Sequence, residues 1–325
     1  MGSRSPRIAI VGKGALGLLY GSRAARALGP DAVVYAMDAG RLARHAHDSY
    51  TVNGEPVLLR DLTPEEIGPV DLVIVAVKNL GLPAALDLMG PLVGPGTHIV
   101  SVLNGISSEE AIAARYGWDR IVMCVAQGMD AMRFGTELTY TQYGKLHIGL
   151  LPQTPPATFD AVRAILDAAD LPYLVEDDIT YRLWAKFMLN VGINQTCAAY
   201  GITYGQVVAD PTGEYFRNYV SAMREVIAVA AAEGVTIPES ELTGMVALEK
   251  TLDPAGTPSM GQDVINRCPT EVDTFAGEVM RRAARHGILV PVNAYLYQRI
   301  REIETGYTSI GAGPALTGQA TLQTR

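Results

Sequence analysis

The chain has 325 residues, 48% of them hydrophobic and 18% charged, which is long and apolar enough for two domains with cores and excludes a disordered or fibrous polymer. Acidic residues outnumber basic ones by 34 to 26, for a formal charge of -8, and no basic stripe interleaved with aromatics occurs, so no nucleic-acid partner is expected. Three widely spaced cysteines, no apolar run of membrane-spanning length and no hydrophobic core within residues 1–6 after the charge of Arg4 make a cytoplasmic, non-membrane protein with free thiols the expectation.

Residues 7–11 predict a buried strand running straight into Gly12-Lys13-Gly14-Ala15-Leu16-Gly17, followed by a helix over 15–28 and a second strand at 33–37. This is the G-x-G-x-x-G fingerprint in its proper strand-turn-helix setting. Gly12 permits the tight turn, Gly14 lets the backbone approach a diphosphate, and Gly17 lets helix and strand pack closely, while the amides at the helix start attract phosphate. Asp38 stands about twenty residues past the fingerprint, where an acid receives ribose hydroxyls.

Strands at 71–77, 97–102 and 120–126 alternate with helices at 80–89 and 107–116, which predicts a doubly wound, mainly parallel sheet. Lys78 and Asn104 fall at the carboxyl edge of that sheet, where ligands of open sheets bind; a solvated strand end suits Lys78 equally, and Asn104-Gly105 is also a common turn pair. Segments 134–141 and 145–150 look like paired strands, followed by the Pro-rich 152–156, a helix over 159–169 and a strand at 172–175. After Asp178 helical periods take over, at 179–200, 212–233, 239–252, 272–286 and 292–303. The expected architecture is α/β: a Rossmann-like doubly wound domain over 1–177, then an all-helical domain over 178–325, with the active cleft expected between them.

Within the first of those helices, Lys186, Asn190 and Asn194 recur every fourth residue among Phe187, Met188, Leu189, Val191 and Ile193. Steps of four share one helix face, and polar groups on an otherwise dry face need partners. The stripe predicts a small polar pocket in which a lysine can exchange a proton and two carboxamides can hold an oxygen-rich substrate; a snorkelling lysine with locally bonded asparagines is the plainer alternative. The histidines do not fall at metal-ligand spacing, and no metal is expected.

Taken together, Gly12 to Gly17, Val77-Lys78, Leu103-Asn104-Gly105, the Lys186/Asn190/Asn194 helix and the run from Ser259-Met260 through Gln262-Asp263 to Thr270-Glu271-Val272-Asp273 resemble the ketopantoate reductase (2-dehydropantoate 2-reductase) family. The resemblance implies reduction of ketopantoate to (R)-pantoate with NADPH, on the route to pantothenate and coenzyme A. It implies Lys186 as the general acid, Asn190, Asn194 and Ser259 as substrate contacts, Asn104 at cofactor and substrate, and Glu271 near the cofactor ribose and the lysine. Lys13, Ala15 and Leu16 join the glycines at the cofactor. Ser259 through Gln262 also fits an S-x-x-Q capping box, and Glu271 a first-turn acid.

Two positions depart from the family pattern. Asp38 replaces the arginine that NADPH users commonly place at the 2′-phosphate, which leaves Arg41 or Arg44 to reach it and makes NADH a rival cofactor. Tyr204 stands where the family often has another substrate-binding asparagine, and the segment from Gln127 to Asp130 is unfamiliar. A paralogous reductase of another branched or bulky 2-keto acid is therefore the second reading, and a non-catalytic dinucleotide sensor the third. The expected partner is a small 2-keto acid, with a homodimer compatible.

Overall fold

The structure is a computed structural model that describes residues 4–309. The described residues divide into two compact units, one of residues 4–188 together with Ala230–Glu241, the other Leu189–Val229 together with residues 242–309. In chain order the first segment gives β1 (Ile8–Val11), α1 (Ala15–Leu28), β2 (Val33–Ala36), α2 (Ala39–His45), β3 (Tyr50–Val52), β4 (Glu55–Val57), β5 (Arg60–Leu62), α3 (Pro64–Ile67), β6 (Leu72–Val75), α4 (Leu82–Leu88), β7 (His98–Ser101) and α5 (Ser108–Tyr116). It continues through β8 (Met123–Met129), β9 (Met132–Phe134), β10 (Glu137–Thr139), β11 (Tyr143–Gly149), α6 (Pro156–Ala168) and β12 (Tyr173–Val175).

The main sheet has the order β5-β2-β1-β6-β7 and is parallel throughout. All residues of β1, β2 and β6 are buried, which is why these strands are unbroken apolar runs. Their side chains alternate between two layers: Ile8 and Ile10 pack with Leu18 and Leu19 of α1, while Ala9 and Val11 pack with Leu82, Ala85 and Ile112 on the other face. The strand order runs outward from β1 to β2 and then restarts at β6 on the other side of β1. The carboxyl ends of β1 and β6 are thus the switch point of a doubly wound sheet, as the alternation of elements predicts.

The pairing expected between 134–141 and 145–150 does not form. The chain turns at Gly135, so that β9 and β10 pair with each other and β10 lies parallel to β3 in a four-stranded sheet, β4-β3-β10-β9. β11 pairs instead with β8 in antiparallel register and with β12 in parallel. A long-range ladder outcompetes the nearer partner here because it buries Leu146 and Ile148 in the core beneath α1.

The second segment begins with α7 (Ile179–Tyr200) and continues through α8 (Tyr204–Val208), α9 (Glu214–Ala232), α10 (Glu239–Glu249), α11 (Ser259–Ile265), α12 (Glu278–His286) and α13 (Pro291–Ser309). The helix expected over 272–286 is not regular from its start: Asp273–Gly277 forms a π-helical turn before α12. Its cause is a side chain. Gln195 of α7, fully buried, accepts a hydrogen bond from the main-chain N–H of Ala276 at 3.0 Å, and so takes a donor out of the helical ladder. Gln195 in turn donates to Val191 O and to Asn293, whose amide reaches Glu225 of α9 at 2.7 Å. Among the described residues no helix is long and apolar enough to cross a membrane, and no group of three or more His, Cys, Asp and Glu could hold a metal ion.

Candidate active site

At the switch point the fingerprint does what its glycines require. Gly12 has φ of 110°, and a Cβ there would lie 2.5 Å from Ala76 O, just past β6. A Cβ on Gly17 would lie 2.0 Å from Gly12 O, so α1 crosses directly over the turn. Gly14 caps α1 in an extended conformation with no side-chain hydrogen bond, which leaves no capping side chain on the amides at the helix start around Ala15, Leu16 and Gly17. A cradle of main-chain donors at the positive end of a helix, where a Cβ on Gly14 would come no nearer than 3.8 Å to Ala76 O, fits a dinucleotide diphosphate.

Lys13 stands inside the fingerprint, but its side chain is committed elsewhere. Its side chain is only 4% exposed and turns away from the phosphate cradle, with Nζ 2.7 Å from both oxygens of Asp61 on β5 and 4.0 Å from the centre of the Tyr50 ring. Burial lowers its pKa, against the pull of Asp61. Only the main chain of Lys13 remains at the turn, and there Arg133 of β9 donates to its carbonyl. Arg133 was not legible in the sequence, because the hairpin that carries it is placed by long-range strand pairing. Asp38 is the N-cap of α2 and accepts from Arg41 N at 2.8 Å; Arg41 and Arg44 are exposed on the same short helix.

Two loops meet at the carboxyl ends of β6 and β7. Lys78 is exposed and opens a short 3-10 turn, Asn79–Gly81, from which the Asn79 side chain donates to Asn104 O at 2.8 Å. Lys186 of α7, half-buried, comes to the same edge. Its Nζ donates to Ala126 O of β8 at 2.6 Å and to Asn104 Oδ1 at 3.2 Å. The structure therefore joins Lys186 and Asn104, from segments 82 residues apart. Below them lies a residue that sequence reasoning passed over, the buried Glu109.

The remaining candidates belong to the second unit. Asn190 is half-buried and Asn194 buried on the turns of α7 that follow Lys186. Ser259 is exposed as the first residue of α11; Pro258 is the N-cap and no side-chain cap bond forms, so the capping box is not made and its hydroxyl is not used for that purpose. Glu271 is half-buried and its carbonyl accepts from Thr274 N and Phe275 N at the start of the π-helical turn. Gln195 thereby ties the Asn194 turn to the segment that begins at Glu271. Tyr204 starts α8 half-buried against the Pro254–Gly256 turn, with its phenol kept neutral by burial.

The family model described as Ketopantoate reductase PanE/ApbA matches residues 8–153, and Ketopantoate reductase PanE/ApbA C terminal matches residues 178–304. The chain belongs to the ketopantoate reductase family. Members of this oxidoreductase family use NAD(P)H, in keeping with the diphosphate cradle. A 2-dehydropantoate 2-reductase of Vibrio cholerae is 27% identical over 253 residues, 78% of this chain and 84% of that protein. The crystal structure of 2-dehydropantoate 2-reductase from Geobacter metallireducens superimposes with a TM-score of 0.80 at 28% identity, covering 91% of this chain and 99% of that one. The ternary structure of D-mandelate dehydrogenase with NADH and anilino(oxo)acetate shares the fold, with a TM-score of 0.80 at 21% identity over 93% and 99% of the two chains.

Proposed function

We propose that this chain is an NAD(P)H-dependent 2-dehydropantoate 2-reductase, reducing ketopantoate to (R)-pantoate, with Lys186 as the proton donor. The observation that carries the reading is the Lys186 ammonium held on Asn104 Oδ1 and Ala126 O at the carboxyl edge of a dinucleotide-binding sheet. When bound, the nicotinamide supplies a hydride to the carbonyl carbon. The displaced carbonyl electron pair takes a proton from Lys186 to become a hydroxyl, and the neutral amine recovers its proton from water. Lys186 also stabilises the charge that grows on that oxygen. In this reading Asn190, Asn194 and Ser259 orient the substrate's hydroxyl and carboxylate, and Glu271 serves the cofactor ribose and the lysine. Gly12, Gly14 and Gly17, with the main chain of Lys13, Ala15 and Leu16, receive the diphosphate, while Asp38, Lys78 and Asn104 flank the nucleotide.

The reading divides the chain into a dinucleotide-binding domain, 1–177, and a helical substrate domain, 178–325, acting in the cytoplasm as a homodimer. Oxidation of NADPH and of NADH with ketopantoate tests it directly. Lys186→Ala should lower kcat by roughly 10²–10⁴-fold while cofactor affinity changes little; unchanged turnover removes Lys186 from the mechanism.

A different bulky 2-keto acid is the second reading. It is favoured by the neutral Tyr204 ring in place of an amide and by Gln127, one residue past Ala126, whose buried Oε1 has no hydrogen-bond partner. Asp130 plays no part in it, since its carboxylate closes the β8–β11 ladder by accepting from Thr141 N and Gln142 N. A panel of 2-keto acids separates the two, by the ratio of kcat/KM to that for ketopantoate.

A further inference from the structure

An acid in the first turn of a helix normally faces water, where it complements the helix dipole. On α5 Glu110 does so, but Glu109 is only 3% exposed. A carboxyl taken out of water needs compensation, and the structure shows where it comes from. Glu109 Oε2 accepts from Ser108 Oγ at 2.7 Å, and Ser108 Oγ lies 2.9 Å from Ser101 Oγ at the end of β7. Ser101 Oγ is also 3.4 Å from the amide of Leu103, the residue before Asn104. The carboxyl is thus anchored from beneath to the loop whose Asn104 holds the Lys186 ammonium.

Its other neighbours complete the picture. Cys124 and Ala126 are two residues apart on β8; Cys124 is buried within electrostatic reach of Glu109, and the carbonyl of Ala126 holds Lys186. Lys186 itself is within electrostatic reach of Glu109. The charged and titratable groups acting on Glu109 are therefore Glu110 from its own helix, Lys186 from α7 and Cys124 from β8. Burial pushes the Cys124 thiol up, so it stays neutral and supplies no counter-charge. Of the two acids in this cluster, Glu110 is exposed and Glu109 is buried.

We infer that Glu109 is a positioning residue for Lys186: its carboxylate, anchored by Ser108, is a buried counter-charge that helps keep the Lys186 ammonium protonated on Asn104 and Ala126. The inference rests on Lys186 being the proton donor. Burial raises the Glu109 carboxyl to about 7, against the hydrogen bonds from Ser108 and from its own main chain. Glu109 is then neutral in mild acid and ionised above that value, where an anion beside Lys186 raises the amine's pKa and preserves the general acid.

Kinetics of the full-length enzyme against pH test this. Glutamine is the neutral isostere of a protonated glutamate, so Glu109→Gln should match the wild type within about twofold near pH 6. Its alkaline fall in kcat should begin about one pH unit lower, giving roughly tenfold slower turnover near pH 9, and Glu109→Asp should restore the limb. A deficit equal at every pH, or an unmoved alkaline limb, overturns the inference. Should Glu109→Gln fail to fold, the Glu109 carboxyl resonance decides by isotope-edited NMR: its titration midpoint should rise in Lys186→Met relative to wild type, and an identical midpoint overturns the coupling. Full turnover in Lys186→Ala would instead sink the proton-donor reading while leaving the NMR coupling intact, so the two failures are distinguishable.

Discussion

Lys13 sits within the glycine-rich turn, yet its charge is satisfied by Asp61 and lies near the rings of Tyr35 and Tyr50. Lys13→Met should therefore leave cofactor affinity within about threefold, because the phosphates meet main-chain amides, but cost about 1–3 kcal/mol of stability by stranding Asp61. Isothermal titration and urea unfolding of the same sample check both halves. Asp38 poses the opposite case, an exposed acid whose structural duty as the α2 cap an asparagine can also perform. On the proposed reading, which sets Asp38 beside the nucleotide, Asp38→Asn should raise the NADPH-to-NADH ratio of kcat/KM by about tenfold with little loss of stability. No change in that ratio would show that Asp38 does not set the cofactor choice. Lys13 was legible as part of the motif but its direction was not, because the acid that claims it lies 48 residues away on another strand.

Elements were legible wherever burial made them continuous. β1, β2 and β6 are apolar at every position, and α7 carries its polar stripe through apolar surroundings, so pattern alone located them. β3, β4 and β5 are three residues each and partly exposed, and short half-exposed strands carry no period strong enough to read. The π-helical turn after Glu271 was hidden for a different reason, since it is imposed by Gln195 from another helix. Gln195→Ala should let that turn relax toward regular α-helix and leave Asn293 a partner short, at a cost of about 1–3 kcal/mol. Thermal unfolding measures the cost, and a rise in KM that exceeds the fall in kcat would show that the helix start holds substrate.

At the scale of the molecule, two buried carboxyls bias stability against alkali. Glu249 is 4% exposed, its Oε2 has no hydrogen-bond partner, and burial raises it from 4.5 to about 7, as burial also does for Glu109. The folded state holds these protons more tightly than the unfolded chain, so stability should fall as pH rises from about 4.5 to about 7 and then level off. Glu249→Gln should remove part of that fall, making the variant more stable than wild type above neutrality and little different in mild acid. Urea titrations at both ends of the window check it; a variant less stable at high pH would show that the carboxylate has a partner in solution.

Because Lys186, Asn190 and Asn194 stand on one uninterrupted helix, their spacing works as a ruler. Each step of four residues advances about 6 Å and returns close to the same bearing, whereas a single inserted residue would swing the amides by about 100° from the amine. The middle of α7 can therefore tolerate substitutions that keep this stripe but not a change in its count of residues.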